Sequence, residues 1–570
     1  SYEIDDDQIA ELRQEFKIRY HSFKTLLQAN NSALENMAAM ERKLQETQPF
    51  SFSFVKEKAI SVAVDVFRMI RSLDEIVPGK YTRLYDAFKP IKEDITSSLA
   101  LEKLYPSDKL VMFIDQCNRS LSELVGNKMA NLGEIRNQLA FDIPDGFIVT
   151  SYATELLIAE NELEAKIAQK LQVIDFEDTK EVEKASHEIR EMITAATLPN
   201  SLKQAIQGAL NTLIEKHPNA TFALRSSATG EDTVRTSSAG QYLSKLHVDA
   251  EDVLEIYQEV IASKYSTEAL IYRYHQGLID DQVSMAVGCM PMVDSASGGV
   301  IYTCDPLDAS NKKILIYSCH GLPKSIVDGG AECDHAVVSD QPPHAILNTT
   351  LSGKSQHQAN PAGDTPNVKE SEADNPATPS LTEDEMKELA RLAKELETYF
   401  GIAQDIEWCL DKTGQIKILQ SRPLISAEPE ETQSNTKSKI ESPKRLIFSG
   451  GITVSHGQIT GKTQWVETEK DARDFPDGAI LCIKSAHPRW APLLRRASGV
   501  IAIEGGFAGH LATIAREYGT PCLFGVKDIT SRLANGTIIT LDADNREIYL
   551  GEIRLLTQQN ESEKKLTVSN

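Results

Sequence analysis

The run Gly505-Gly506-Phe507-Ala508-Gly509-His510-Leu511-Ala512-Thr513-Ile514-Ala515-Arg516 sets one histidine between a glycine-rich turn and a stretch of helix formers. Glycines let the backbone turn tightly and leave the imidazole uncovered. The N-terminus of the helix that should follow offers unbonded N–H groups and a positive dipole end, both suited to a phosphoryl group. A neutral imidazole is nucleophilic near pH 7, which makes His510 a candidate covalent carrier. Taken alone, an ordinary turn histidine explains the run better. Other clusters in the chain shift that reading.

Four of them could handle phosphate. In Val125-Gly126-Asn127-Lys128-Met129-Ala130-Asn131-Leu132-Gly133-Glu134, backbone N–H groups at a helix mouth could cradle a phosphate while Lys128 supplies a point charge. The stretch Leu224 to Asp232 ends a strand in Arg225 and enters a hydroxyl- and glycine-rich loop with Ser226, Ser227, Glu231 and Asp232. Such a loop can clamp bridging phosphate oxygens. A second small-residue loop, Ser237 to Tyr242, adds Gly240 and Gln241 close behind it. Asp405-Ile406-Glu407-Trp408 and Leu419-Gln420-Ser421-Arg422-Pro423 read as adjacent strands. They could set Glu407 and Gln420 as hard oxygen ligands for Mg²⁺, with Arg422 beside a terminal phosphate. Singly, each also fits a plainer role: a surface lysine, an arginine tied to Glu231, a solvated strand end. Their joint occurrence with His510 favours phosphate chemistry.

The elements that must position these groups follow from the texture of the chain. At 570 residues the length suggests about three to four domains. The 60 basic against 83 acidic residues leave a formal charge of −23, which argues against nucleic acid or an anionic membrane as the main partner. Eight cysteines without a CxxC pair read as reduced thiols, and no apolar run approaches the ~18 residues of a membrane span. The expectation is a cytoplasmic protein. Residues 1–107 read as a helical bundle for docking or oligomerisation. Residues 108–425 alternate short apolar strands with helices, and a polar, proline-rich stretch at about 339–380 reads as a flexible insertion. Thr382 followed by Glu385 fits a capping box opening a helix. A polar linker, 426–445, leads to a compact β/α domain at 446–552 and a tail, 553–570. The fold class is therefore α+β or α/β and multidomain.

With these motifs in hand, the chain resembles the phosphoenolpyruvate-utilising dikinases and related phosphotransferases. Their ATP-grasp nucleotide-binding domain opens with a G-G-K-G-A-N-L-like motif, matched at Gly126, Lys128, Ala130, Asn131 and Leu132. Their R-S-S-A…E-D loop is similar to 225–232, their D-I-E…L-Q-x-R strand pair to 405–422, and their phosphohistidine motif to 505–516. The resemblance implies ATP and Mg²⁺ as cofactors. It implies that Lys128, Arg225, Ser226, Ser227, Glu231, Asp232, Gly240, Gln241 and Arg422 contact nucleotide, with Glu407 and Gln420 holding Mg²⁺. His510 would take the β-phosphate of ATP, leaving AMP and phosphate, and carry it on a small swivelling domain to an acceptor.

The chain departs from the family pattern in places. Ala508-Gly509 stands where a hydroxyl residue usually precedes the histidine, and Gly321-Leu322-Pro323-Lys324 replaces G-L-G-E. The phosphoenolpyruvate/pyruvate barrel has no counterpart in these 570 residues. The acceptor, a small molecule, is therefore expected on a second protein subunit, as in phenylphosphate synthase. The alternative is a non-catalytic, nucleotide-binding regulatory subunit.

Overall fold

The computed structural model describes residues 6–45, 52–99, 108–172, 174, 176, 178–229, 242–276, 283–308, 310–329, 333–351, 378–424, 446–527, 529–530 and 532–552. They divide into two units, Ser1–Ser107 with Arg273–Gln282, and Asp108–Tyr272 with Val283–Asn570.

In the first unit a stretch without proline or glycine forms the helix Asp6–Gln45, followed by Phe52–Ile76 and Arg83–Leu99. The first two pack along each other through small residues: Ala29 and Ala33 are buried, which lets the backbones approach. Asn36 is buried in the same seam, where it donates to Ser61 Oγ at 3.0 Å and accepts from Lys58 Nζ at 3.3 Å. No helix among the described residues is long and apolar enough to cross a membrane.

The second unit contains three sheets among the described residues. In the first, the strands Val111–Phe113, Phe147–Val149, Met285–Pro291, Phe222–Ala228 and Ser244–Val248 lie side by side in that order, all antiparallel. The second runs Ile416–Pro423, Gln404–Asp411, Ser295–Tyr302, Lys313–His320, Asp334–Ser339 and Ile346–Thr350, again antiparallel throughout. Two antiparallel sheets with helices packed against them are the α+β architecture expected of an ATP-grasp module.

The third sheet is mixed. Its centre, Gln458–Trp465, Ile480–Ser485, Gly499–Glu504 and Cys522–Phe524, is parallel, with antiparallel strands outside. Both faces are covered at 480–483, 500–503 and Cys522–Phe524, so these segments are apolar without interruption, whereas Gln458–Trp465 is mixed. Leu481, Ile483, Val500 and Ala502 point into one core, whereas Ile480, Cys482 and Ile501 point into the other. The helix His510–Tyr518 packs on the first of these cores through Leu511, Ala512, Ile514 and Ala515, and Gly519 ends it in the left-handed conformation at φ 61°.

The stretch read as a flexible insertion is described at both ends. Ile346–Thr350 extends the second sheet, because the edge strand Asp334–Ser339 offers it unpaired backbone groups. On the far side Ser380 donates through N and Oγ to Asp334 Oδ2, at 2.8 and 2.7 Å, and Oγ also bonds Ser318 Oγ. The capping box follows at once: Glu385 N donates to Thr382 Oγ1, and Thr382 N to Glu385 Oε2 at 2.7 Å. The central part, 352–377, lies outside the described residues, as do the linker and the tail.

Candidate functional site

The helix Ser122–Glu134 is broken at Gly126, where φ is 71° and ψ is 162°. A Cβ there would lie 2.0 Å from the carbonyl oxygen of Ser227, so the strand Phe222–Ala228 can pass only because the residue is glycine. The helix restarts behind it and Lys128 sits in the new first turn. One of that turn's N–H groups, Met129 N, donates to Ser227 Oγ at 3.2 Å. Ser227 is thus fully buried and engaged in holding helix to strand. Ser226 is equally buried, and its hydroxyl has no hydrogen-bond partner. Neither serine reaches the cavity described next. Alternation along the strand turns Ser226 away from Arg225, whereas Ser227 shares the Arg225 face but is shorter and is taken up by Met129 N.

That cavity holds about 320 Å³, the scale of a small-ligand site. Lys128, Arg225, Glu407, Gln420, Arg422 and His510 all line it. Glu231, Asp232, Gly240 and Gln241 lie outside the described residues.

Arg225 organises the polar end. Its Nη1 donates to the carbonyl of Leu419 at 2.8 Å, and its Nη2 to Gln420 Oε1 at 2.6 Å and Glu407 Oε2 at 3.3 Å. Glu407 pairs with Gln420 and Trp408 with Ile418, which leaves Leu419 as a bulge residue on its strand. A bulge frees a carbonyl from the ladder and turns neighbouring side chains, here toward the guanidinium. The two side-chain oxygens converge on one nitrogen, so they also lie near each other. A carboxylate and an amide oxygen so placed are hard ligands, and a pair of them fits Mg²⁺, which completes its shell from phosphates and water. Among the described residues no group of three or more His, Cys, Asp or Glu could hold a metal by itself.

Arg422 stands opposite Asp405 on the next strand and grips its Oδ2 through Nε at 2.9 Å and Nη2 at 2.7 Å. Burial pushes the Asp405 carboxyl above the usual range, and Arg422 pulls it back only in part. His510 is the first residue of its helix and is 7% exposed. Burial, then the positive charges of Arg422 and Lys128, lower its pKa to about 3. The imidazole is therefore held neutral with its lone pair available.

The opposite wall escapes the sequence motifs. Met290, Pro291, Met292 and Val293, with Leu246 and Leu322, form an apolar slot, and Pro323 and Lys324 stand beside it. The only cue in the sequence is an apolar run continuing past the end of the strand Met285–Pro291.

Comparison with known proteins finds two family matches along the chain. Residues 122–443 match the pyruvate phosphate dikinase AMP/ATP-binding domain, and residues 475–546 the mobile domain of PEP-utilising enzymes. Phosphoenolpyruvate synthase of Aeropyrum pernix is 32% identical over 485 residues, 78% of this chain and 58% of its own length. That of Deinococcus radiodurans is 33% identical over 450 residues, covering 76% and 56%. That of Escherichia coli is 30% identical over 463 residues, covering 78% and 58%. The chain spans a little under three fifths of the length of these relatives.

Two measurements follow from the geometry. Gly126→Ala should cost about 2–3 kcal/mol through the clash with Ser227 and the positive φ, seen as a lower thermal midpoint. For His510, the folded value lies below that of a free imidazole. Its contribution to stability is then full above about pH 6.5 and is lost as pH falls toward about 3. In a histidine-labelled sample its NMR signal, assigned by its loss in His510→Gln, should stay at the neutral position from about pH 8 to 5. A midpoint near the free-imidazole value would overturn this account.

Proposed function

The chain belongs to the family of phosphoenolpyruvate-utilising dikinases, and on that premise we propose that it is an ATP-dependent phosphotransferase that phosphorylates its own His510. The observation that carries the reading is the meeting of Lys128, Arg225, Glu407, Gln420, Arg422 and a neutral His510 around one cavity. The apolar slot at Met290–Val293 suits a nucleobase, and the polar end suits a polyphosphate.

In this reading His510 attacks the β-phosphorus of ATP with its lone pair, and AMP departs with the electrons of the broken P–O bond. Water then removes the γ-phosphoryl group as inorganic phosphate, the imidazole proton passes to solvent, and one phosphoryl group stays on His510. Lys128 and Arg422 oppose the negative charge that builds on the phosphate oxygens, and they are already in place before it appears. Arg225 holds Glu407 and Gln420 together as the Mg²⁺ ligands. Bound there, Mg²⁺ supplies charge neutralisation to the phosphates.

The third sheet and its helix, residues 446–552, act as the mobile carrier, and 426–445 as its tether. Tethering keeps the effective concentration of the histidine high at two stations. The acceptor is a small molecule, bound on a separate domain or subunit. A regulatory role without transfer is the second reading, and the feature in its favour is Pro323-Lys324 in the cavity wall.

Incubation with ATP carrying ³²P at either the β or the γ position separates these. Acid-labile, alkali-stable label from the β position alone, absent in His510→Ala, is the expected result. Label from the γ position alone, or label surviving in His510→Ala, overturns the dikinase reading. ATP binding without any label supports the regulatory one.

A further inference from the structure

The glycine just before His510 sits against another glycine from the nucleotide-binding module. A Cβ on Gly509 would lie 2.9 Å from the Cα of Gly329. Gly329 has φ 74°, and a Cβ on it would lie 3.0 Å from the Ala486 carbonyl oxygen and 3.8 Å from the Cα of Gly509. Three backbone segments therefore meet with no side chain between them, one residue from the candidate carrier.

Next to this contact, Phe507 and Ala508 are buried in an apolar cluster with Val300, Tyr302, Leu315 and Tyr317 from the second sheet. The Phe507 ring stacks on Tyr317 at 5.7 Å and 18°, and meets Tyr302 edge-on at 6.2 Å. Arg516, one face of the helix further on, lies 4.7 Å over the same ring and donates to the Phe507 carbonyl at 3.0 Å. Its other terminal nitrogen reaches the Tyr302 hydroxyl at 3.4 Å. The turn 505–509 is thus a plug seated in the second sheet.

We propose that Gly329 and Gly509 form a seat without side chains, closed by Phe507 as its plug, that sets His510 at its depth in the cavity. Gly509 and Gly329 are positioning residues in this account, acting through His510. The proposal rests on the functional reading above for what the cavity binds. The seat itself rests on the contacts alone. It also gives the Ala508-Gly509 sequence a reason: a hydroxyl residue at 509 has no room, because its Cβ would strike backbone. A displaced carrier loses rate steeply, since a shift of about 1 Å in a reacting group can cost on the order of a hundredfold.

The test is Gly509→Ser, a change that restores the hydroxyl usual in the family. If the hydroxyl were simply missing, labelling of His510 from [β-³²P]ATP would rise. If the seat governs, labelling should fall at least about tenfold while ATP binding holds, because Lys128, Arg225, Glu407, Gln420 and Arg422 keep their places. Carbethoxylation of His510 by diethyl pyrocarbonate, read by mass spectrometry without nucleotide, should rise several-fold as the histidine leaves its seat. Phe507→Ala introduces no clash, should change both readouts in the same direction, and carries the test should Gly509→Ser fail to fold. Labelling at parental rate or faster, with His510 equally protected, overturns the seat. Should the parent chain take no label, the functional reading fails, and the diethyl pyrocarbonate comparison still decides the seat.

Discussion

A partly buried guanidinium must place its N–H donors, and Arg225 places them on oxygens that belong to a sheet other than its own. It projects from Phe222–Ala228 in the first sheet and binds Leu419, Gln420 and Glu407 in the second. The two sheets are thereby held across the cavity by charge-assisted bonds with directional demands. The bulge at Leu419 meets those demands, since a regular ladder would tie the Leu419 carbonyl to its neighbour strand. Glu407 and Gln420 converge because both answer to the same side chain. Lysine at 225 would keep the charge but lose the fork that brings three oxygens together.

Much of this was legible in the sequence, and the failures have physical causes. The helices of residues 6–99, the capping box at Thr382 and the apolar strands of the third sheet follow from local preference and periodicity. Lys128, Arg225, Glu407, Gln420, Arg422 and His510 stand out because strand ends and glycine turns mark them, and they share one cavity. Ser226 and Ser227 mislead for a simple reason. A hydroxyl in a motif looks the same whether it faces a ligand or, like Ser227 Oγ, satisfies an N–H of a neighbouring helix. The bulge at Leu419 and the apolar wall at Met290–Val293 depend on register between strands far apart in the chain. The partner of Gly509, 180 residues earlier, is of the same kind: nothing local in either glycine points to the other.

The electrostatics of the cavity point one way before any ligand enters. Two cations beside a buried imidazole disfavour its protonation, and the same two cations favour an arriving polyphosphate. In the proposed reaction, one arrangement therefore keeps the nucleophile ready and attracts its electrophile. Asp405 tempers it: by accepting two N–H bonds from Arg422 on one oxygen it fixes the direction in which that positive charge faces.

The anchoring of Ser380 and the strand Ile346–Thr350 reaches beyond local order. Both ends of the intervening stretch, 352–377, are fastened to one sheet, by backbone pairing to Asp334–Ser339 on one side and by bonds to Asp334 and Ser318 on the other. Chain added between two fixed ends costs only closure entropy, about 0.6 kcal/mol for each doubling of length. This part of the sheet is thus the place where a whole extra module could be spliced in, with Glu407, Gln420 and Arg422 on the far strands left as they are.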